Sequence, residues 1–517
     1  MAAKASVDAV KVRMYRHGFG DCFLLSLCHG DRRVFSMLVD CGIKHNTRSK
    51  TVPIEDVIGD LKETLKPPSG GKPKIDVLVA THEHWDHVSF FHPDCPKDSS
   101  NFFSAFDIRQ IWLAWTEDPE DEEAVTINSR LRKGAAALRE AAMRLHEVEA
   151  EESNQFRGLA FGRTVTEART AFNAALNDVL GFYGLSVAKK TRTSRSGIKY
   201  KTNSKISVET EVAMTNIVKL GKKGGVIYLN PGTKVEPPRL PPGVRAYVLG
   251  PPRGSLINQS NPSSGRAKET YLGIYQTGLT GFIDGVLRLA SLSKANEATN
   301  EAEGPFAKGS GLTPKQAENH LYFKQTYFAK DESYRRIEHT WLDAVGQFSL
   351  QLDGAINNTS LVLAIELEES GNVLLFPGDA QVGSWLSWHE HQWQVKRGDR
   401  PETITAKDLL KNTVLYKVSH HGSHNATVKD KGLELMTHPD LVAMIPEKEK
   451  SYNGILYKPL IDRLRKLCKG RVLISADVDY PPEDLLEKRP PELPAAEWKS
   501  FKADLTVERL YVEYTLR

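Results

Sequence analysis

Residues 75–87 read IDVLVATHEHWDH, and this stretch decides how the rest of the chain is interpreted. Its first six residues form a mainly apolar run that is typical of a buried strand. The run ends in the motif HxHxDH, which places His82, His84, Asp86 and His87 within six residues. A short loop at a strand end can point three imidazoles and a carboxylate into one pocket, and such ligands suit zinc, manganese or iron. We therefore predict a metal site at this strand end.

Two later segments have the same form, an apolar run followed by polar side chains. NVLLFPGDA places Asp379 after a buried run, where an unpaired carboxylate would be costly and a metal would stabilise it. TVLYKVSHHGS places His420 and His421 after another run. A Gly-Asp pair alone fits an ordinary turn equally well. Combined with HxHxDH, the segments indicate one pocket built from distant strands, and the sequence leaves open which of the two histidines is the ligand.

Composition restricts the class of protein. The chain has 517 residues, 26% of them charged, and a formal net charge of +4, which is ordinary for a globular protein. No apolar run approaches the ~20 residues of a membrane-spanning helix, and the N-terminus lacks the apolar core of a secretory signal. We expect a cytoplasmic protein without membrane contact. The five cysteines are scattered and form no CxxC pair, which argues against a disulfide framework or a zinc ribbon.

The chain divides into four predicted stretches. Residues 1–115 contain strand-like runs and HxHxDH, and residues 116–225 form an insertion with alanine-rich segments of helical spacing. Residues 226–480 return to strands with the NNxS, GD and HHGS segments, and residues 481–517 form an extension with a terminal strand. Within the insertion, residues 189–205 carry seven Lys or Arg and no acidic residue, which predicts a positively charged loop.

The ordered series HxHxDH, GD and His at three strand ends resembles the metallo-β-lactamase superfamily. More narrowly, it looks like the hydrolase domain of ComEC-type DNA-uptake competence proteins. That narrower likeness is carried by GFGD at 18–21, DCG at 40–42, NNTS at 357–360, GD at 378–379 and HHGS at 420–423. The resemblance covers roughly residues 10–95 and 240–480 and leaves the insertion uncovered.

The resemblance implies an α/β fold, the metallo-β-lactamase αββα four-layer sandwich, with a large helical insertion and one or two divalent metal ions (Zn or Mn). It implies a first metal on His82 and His84 and a second on Asp86, His87 and one of His420 and His421, with Asp379 between the two metals. The superfamily usually has a third histidine for the first metal, where this sequence has Asn357 and Asn358. Because an amide oxygen is a weaker zinc ligand than imidazole, we expect a labile first metal or a single tightly held one.

The same resemblance implies hydrolysis by a water that the metal activates, without a protein nucleophile. We assign catalytic roles to His84, Asp86 and His421. Asp86 would serve as both ligand and proton acceptor. Whichever of His420 and His421 does not bind metal would contact the substrate or protonate the leaving group.

The favoured substrate is nucleic acid, including foreign DNA in bacterial defence, so the activity would be that of a nuclease or phosphodiesterase. Metal-assisted hydrolysis suits phosphodiesters, and the basic loop suits a phosphate backbone, although a solvated loop explains that loop equally well. The candidate substrate contacts are Asn357, Asn358, Ser423, His424, Lys189, Lys190, Arg192 and Arg195.

Two alternatives stay open at this point. The first is a small-molecule ester, lactone or phosphoester hydrolase in which the insertion forms a lid. The second is a partner-binding protein with a vestigial metal site. The amphipathic helices of the insertion offer a surface for a protein partner or a second copy of the chain.

Overall fold

The computed structural model describes residues 6–44, 47–49, 51–95, 101–152, 180–184, 209–221, 225–259, 314–329, 352–398, 400–423, 425, 427–448, 456–476 and 484–517. Helices there combine with sheets of parallel and antiparallel strands, which confirms the α/β class. Within these ranges, no helix has the length and apolar character needed to cross a bilayer.

The strands are numbered in chain order through the described residues. The first ten are β1 Ala9–Tyr15, β2 Phe23–His29, β3 Arg32–Val39, β4 Lys74–Ile75, β5 Val77–Val79, β6 Asp107–Ile108, β7 Ile111–Ala114, β8 Val226–Leu229, β9 Lys234–Val235 and β10 Val244–Gly250. The others are β11 Val362–Leu367, β12 Val373–Phe376, β13 Gln392–Arg397, β14 Arg400–Thr405, β15 Thr413–Lys417, β16 Val442–Lys448, β17 Val472–Ala476, β18 Leu505–Val507 and β19 Tyr511–Leu516.

The α-helices are numbered in the same way. They are α1 Ile54–Leu65, α2 Trp85–Val88, α3 Glu122–Glu152, α4 Glu209–Leu220, α5 Pro314–Asn319, α6 Leu321–Thr326, α7 Val382–Ser387, α8 Ala406–Lys411, α9 Lys458–Leu467, α10 Asp484–Glu487 and α11 Ala495–Asp504. α1 shows why such segments are helical, because its buried residues Ile54, Val57, Ile58, Leu61 and Leu65 recur at the three- and four-residue spacing of one helix face.

The first large sheet has eight strands in the order β18-β19-β1-β2-β3-β5-β7-β8. Its first five strands are antiparallel, whereas β3, β5, β7 and β8 run parallel. The predicted terminal strand is in fact a hairpin of β18 and β19, closed where the Glu508 N–H donates to the Tyr511 carbonyl at 2.9 Å. β19 pairs with β1, so the extension belongs to the same sheet as the HxHxDH strand.

The second large sheet has seven strands in the order β17-β16-β15-β12-β11-β10-β9. Here β12, β15, β16 and β17 run parallel, and β9 to β12 are antiparallel. Two further pairs, β13 with β14 and β4 with β6, lie outside the large sheets.

Both large sheets are covered by apolar side chains on each face. One buried cluster joins residues of the two sheets, including Phe23 and Phe376, whose ring centroids lie 5.7 Å apart. A second packs the seven-stranded sheet against α7, α8 and α9, and a third packs the eight-stranded sheet against α1, α2 and α4. Val77 and Val79 belong to the shared cluster and Leu78 to the outer one, as the alternation of side chains along a strand requires.

The ends of strands from both sheets meet where the motifs lie. The Leu361 N–H donates to the Thr81 carbonyl at 2.8 Å, which links the loop after β5 to the strand β11. Gly378, after β12, has a φ of 58°, and a Cβ there would lie 3.0 Å from the side chains of Thr81 and Ser360. The Ser419 hydroxyl, after β15, donates to the Ala380 carbonyl at 2.7 Å, so the loops after β5, β12 and β15 lie side by side.

Gly42 allows another close approach in this region. A Cβ at Gly42 would lie 2.4 Å from the Asp86 carbonyl carbon and 2.5 Å from the His87 nitrogen. We expect Gly42→Ala to lower the free energy of unfolding by about 1–3 kcal/mol in denaturant melts, because the backbone must shift. Gly59→Ala is the matched control, since a Cβ on α1 there meets nothing within 4 Å. Equal effects of the two substitutions would contradict this account.

Candidate metal centre

The HxHxDH loop is entirely buried. His82 and His84 lie in the extended segment after β5, and Asp86 and His87 lie in the short helix α2. Their exposed fractions are 0% for His82, Asp86 and His87 and 1% for His84. Buried ionisable groups of this density need charged or hydrogen-bonded partners, and those partners define the site.

Four side chains converge at its centre. Asp86, His87, Asp379 and His421 each contribute one ligand-type atom to a group whose atoms lie within 4.8 Å of one another. His87 Nε2 lies 3.1 Å from Asp379 Oδ2, and His421 Nε2 lies 3.2 Å from Asp86 Oδ2. Two imidazoles and two carboxylates form a ligand set for zinc or a similar divalent ion. The buried Asp86 Oδ1, which has no hydrogen-bond partner in the described part of the chain, also fits an ion at this position.

Hydrogen bonds fix which ring nitrogen faces this group. His87 Nδ1 donates to Asp40 Oδ2 at 2.8 Å, and His421 Nδ1 donates to the Pro446 carbonyl at 2.6 Å. Metal-binding histidines commonly use their second nitrogen in this way. Nε2 is therefore the candidate ligand atom in both rings.

His82 and His84 form a neighbouring pair outside the group of four. The Thr81 hydroxyl donates to Asp40 Oδ2 at 2.7 Å, so it accepts from His82 Nδ1 at 3.1 Å. His82 Nε2 then faces His84 Nδ1 at 3.1 Å. Two imidazole nitrogens on one tetrahedral zinc would lie about 3.4 Å apart, so this spacing suits a shared ion.

The structure separates His420 from His421. The His420 ring lies beside Ser423 Oγ, 2.8 Å from Nδ1, and beside Asn357 Nδ2, 3.4 Å from Nε2. Only its backbone N–H reaches the group, donating to Asp379 Oδ1 at 3.2 Å. Both histidines have left-handed backbones, with φ of 43° and 52°. That conformation is unfavourable for non-glycine residues, and such strain is typical of functional sites.

Sequence reasoning missed Lys417. Its ammonium is 1% exposed and lies 2.5 Å from Asp21 Oδ2 and 3.2 Å from Asp379 Oδ1. Lys417 and the His420 N–H together occupy Asp379 Oδ1, which leaves Oδ2 facing His87. The feature that could have indicated this role is a lysine at the end of an apolar run, because lysine is rarely buried and every residue of β15 is buried.

A second acidic group consists of Asp21, Asp40 and His87, whose atoms also lie within 4.8 Å of one another. Most of its carboxylate oxygens have partners: Lys417 pairs with Asp21 Oδ2, and Thr81 and His87 bind Asp40, while Asp21 Oδ1 has no hydrogen-bond partner among the described residues. These carboxylates therefore orient and neutralise their neighbours, and we assign the ligand role to the group that contains Asp379.

The carboxylates control the protonation of the two central imidazoles. Burial alone would lower the pKa of His421, but Asp379, Asp86 and Asp21 together raise it to about 9. Burial and carboxylates oppose each other in the same way at His87, and the pKa of that ring rises well above its usual value. Burial would raise the pKa of Asp86, but the two rings hold it at about 2. Without a metal, the protein balances its carboxylates with two imidazolium ions.

His84 is enclosed by residues that the motif did not predict. The rings of Phe182 and Tyr183, from the insertion, lie 5.4 and 5.8 Å from its ring. His84 Nε2 lies 3.7 Å from Asp353 Oδ1. Burial lowers the pKa of His84 to about 4, so its ring is neutral.

The predicted substrate contacts divide into three groups. Asn357 and Ser423 lie beside His420 and thus border the centre. Asn358 is a structural bridge, because its amide donates to the Gln259 carbonyl at 2.9 Å and accepts from the Gln381 N–H at 3.0 Å. The remaining five, His424, Lys189, Lys190, Arg192 and Arg195, lie outside the described residues.

The chain matches no protein-family model and no curated protein. The assignment of the site therefore depends on its geometry and on the chemistry of its donors.

Substitution of the adjacent histidines separates their roles. We expect His421→Ala to remove the metal of the central group, because the alanine lacks the Nε2 that faces Asp86. His420→Ala should keep that metal, since only the backbone of His420 contacts Asp379. Elemental analysis measures the metal content of each variant, and competition with a chelator measures its zinc affinity. Equal loss in both variants would contradict the assignment.

Metal binding should release protons. Because the pKa of His421 is about 9 without metal, a metal must displace its proton at neutral pH. We expect affinity to rise about tenfold per pH unit for each proton displaced, up to a pH near 9. Calorimetry in two buffers of different ionisation enthalpy measures this release.

The stability of the metal-free protein should decrease as the pH rises, whereas the metal affinity should increase. The ion pairs of His421 contribute fully below its unfolded pKa of 6.5 and are lost as the pH rises through about 9. The free energy of unfolding of the metal-free protein should therefore fall over this window. His421→Ala should reduce both the proton release and this fall, and a pH-independent affinity would contradict both expectations.

Proposed function

We propose that this protein is a metal-dependent hydrolase with the metallo-β-lactamase fold, and that it acts on phosphodiesters as a nuclease or phosphodiesterase. One observation carries the proposal: the Nε2 atoms of His87 and His421 and the carboxylates of Asp86 and Asp379 converge in a buried group. The other nitrogen of each ring is held by a separate acceptor. Such an arrangement fixes ligands before the ion arrives.

The arrangement of the sheets supports the four-layer sandwich. An apolar cluster lies between the two sheets, and helices cover the outer face of each. The candidate ligands follow β5, β12 and β15, which belong to different sheets. A site at the shared edge of two sheets is what the sequence resemblance implies.

A divalent ion held by this group would supply an activated water at neutral pH and neutralise charge that develops on a phosphoryl oxygen. The protein residues hold the rest of the reaction geometry. Lys417 and the His420 N–H fix Asp379, and Asp40 fixes the His87 ring. His420, whose pKa burial lowers to about 4, is a neutral ring on the Ser423 side of the centre. We assign it to substrate contact.

Charge near the centre supports an anionic substrate. Lys44 is 1% exposed, and its ammonium lies 3.8 Å from the ring centroid of Phe182, which is 5.4 Å from the ring of His84. A buried cation separated from the centre by one aromatic ring favours a phosphate ester over a neutral lactone.

The burial of the centre favours a second candidate, hydrolysis of a small phosphoester or another small ester. The six candidate ligands His82, His84, Asp86, His87, Asp379 and His421 are at most 1% exposed. Phe182 and Tyr183 also cover His84. A polymeric substrate reaches such a centre only if a chain end enters, or after Phe182 and Tyr183 move away from His84. A small ester needs a narrower opening.

The decisive test compares substrates and variants. We expect the protein loaded with zinc or manganese to cleave single-stranded RNA or DNA, or a chromogenic phosphodiester. His84→Ala and Asp379→Asn should each lower kcat by about a hundredfold or more, as loss of a catalytic group does. Asp462→Asn, on the exposed face of α9, is the matched control and should leave kcat unchanged.

The outcome also separates the alternatives. Turnover confined to small esters would replace the nuclease with the second candidate. Binding of metal without turnover of any of these substrates would contradict the proposed hydrolase and favour the partner-binding alternative.

A further inference from the structure

Four buried polar atoms beside His84 have no hydrogen-bond partner within the described protein. They are His84 Nε2, Asp353 Oδ1, Asn357 Oδ1 and the Tyr183 hydroxyl. His84 and Tyr183 are 1% exposed, and Asn357 is fully buried. Buried polar groups almost always have partners, and an unpaired one destabilises the fold. Four of them in one place indicate a binding site for a polar group.

Asp353 holds this cluster together. Its Oδ1 lies 3.7 Å from His84 Nε2, and its Oδ2 accepts from Asn357 Nδ2 at 3.2 Å. The Tyr183 ring lies 5.8 Å from the His84 ring. The Asp353 side chain keeps 15% exposure, so this end of the cluster lies near the protein surface.

The donors and acceptors of the cluster define what it binds. His84 Nδ1 faces His82, which leaves Nε2 to carry the hydrogen of a metal-bound ring. Asn357 Oδ1 only accepts, whereas the Asp353 carboxyl group and the tyrosine hydroxyl can each accept or donate. A hydroxyl group matches this set because it donates to the carboxylate and accepts from the ring.

We propose that His84, Asp353, Asn357 and Tyr183 form a subsite for a ribose 2′-hydroxyl, so that the substrate is RNA or a ribonucleotide ester. This inference depends on the proposed function. In RNA, the 2′-hydroxyl is on the carbon next to the one that carries the 3′-phosphodiester. In the protein, the subsite lies on the Nε2 side of the His84 ring, and Nδ1 of the same ring faces His82. The 2′-hydroxyl is also the group by which proteins distinguish RNA from DNA.

Binding of mononucleotides tests the subsite without catalysis. The zinc-loaded protein is titrated with adenosine 3′-monophosphate and with its 2′-deoxy analogue in a calorimeter. We expect the ribonucleotide to bind about tenfold more tightly or better, because the deoxy analogue leaves the carboxylate and the ring unpaired. Asp353→Asn and Tyr183→Phe should each reduce that ratio with metal content unchanged. Asp462→Asn should preserve it, since Asp462 lies in an exposed pair on α9.

Cleavage of matched RNA and DNA oligonucleotides supplies the second readout. We expect kcat/KM to favour RNA, and Asp353→Asn to lower the value for RNA more than that for DNA. Equal binding of both mononucleotides would overturn the subsite, as would an equal effect of Asp353→Asn on both polymers. RNA and DNA cleaved at equal rates would overturn the subsite and leave the hydrolase standing. A preference for the ribonucleotide without cleavage of any phosphodiester would support the subsite and contradict the hydrolase.

Discussion

The carboxylate of Asp40 is the constraint on which the site depends. It is fully buried and accepts from the Thr81 N–H at 2.7 Å, the Thr81 hydroxyl at 2.7 Å and His87 Nδ1 at 2.8 Å. These bonds tie the end of β3 to both ends of the HxHxDH loop. They also determine, through Thr81, which nitrogen of His82 carries the hydrogen. One carboxylate thus sets the orientation of two imidazoles that do not contact each other through hydrogen bonds.

Charge balance explains why the centre tolerates so many acids. Asp21, Asp40, Asp86 and Asp379 are each at most 1% exposed, and a set of unpaired carboxylates at that depth would unfold the protein. Lys417 neutralises the Asp21 side permanently, since its neighbours hold its pKa well above the usual value. The imidazoles neutralise the other side only while they are protonated. Lys417 is therefore a permanent cation of the centre. The positive charge of the two imidazolium ions is lost when a metal displaces their protons, and the metal then supplies the positive charge.

Sequence patterns predict the parts of the site that are local. HxHxDH lies on one loop, and Asp379 and His421 follow strands whose apolar runs are easily recognised. What the patterns miss depends on tertiary contacts. Asp353 becomes relevant only because helical residues 352–357 pack beside His84. The difference between His420 and His421 depends on two left-handed residues that turn adjacent rings in different directions. The hairpin of β18 and β19 was predicted as one strand because three residues between two β-rich runs carry little turn signal.

The pairing of β1 with β19 has a consequence for biosynthesis. Arg13 forms an ion pair with Glu513 at 2.8 Å and another with Asp60 at 2.6 Å, so the neighbours of β1 come from both near and very distant sequence. Because Arg13 and Glu513 lie 500 positions apart, one edge of β1 has no strand to pair with until the ribosome has made β19. An unpaired edge is a template for aggregation, and closure of so long a loop is slow. This edge of β1 therefore stays exposed until residues 511–516 emerge, long after the HxHxDH loop has left the exit tunnel.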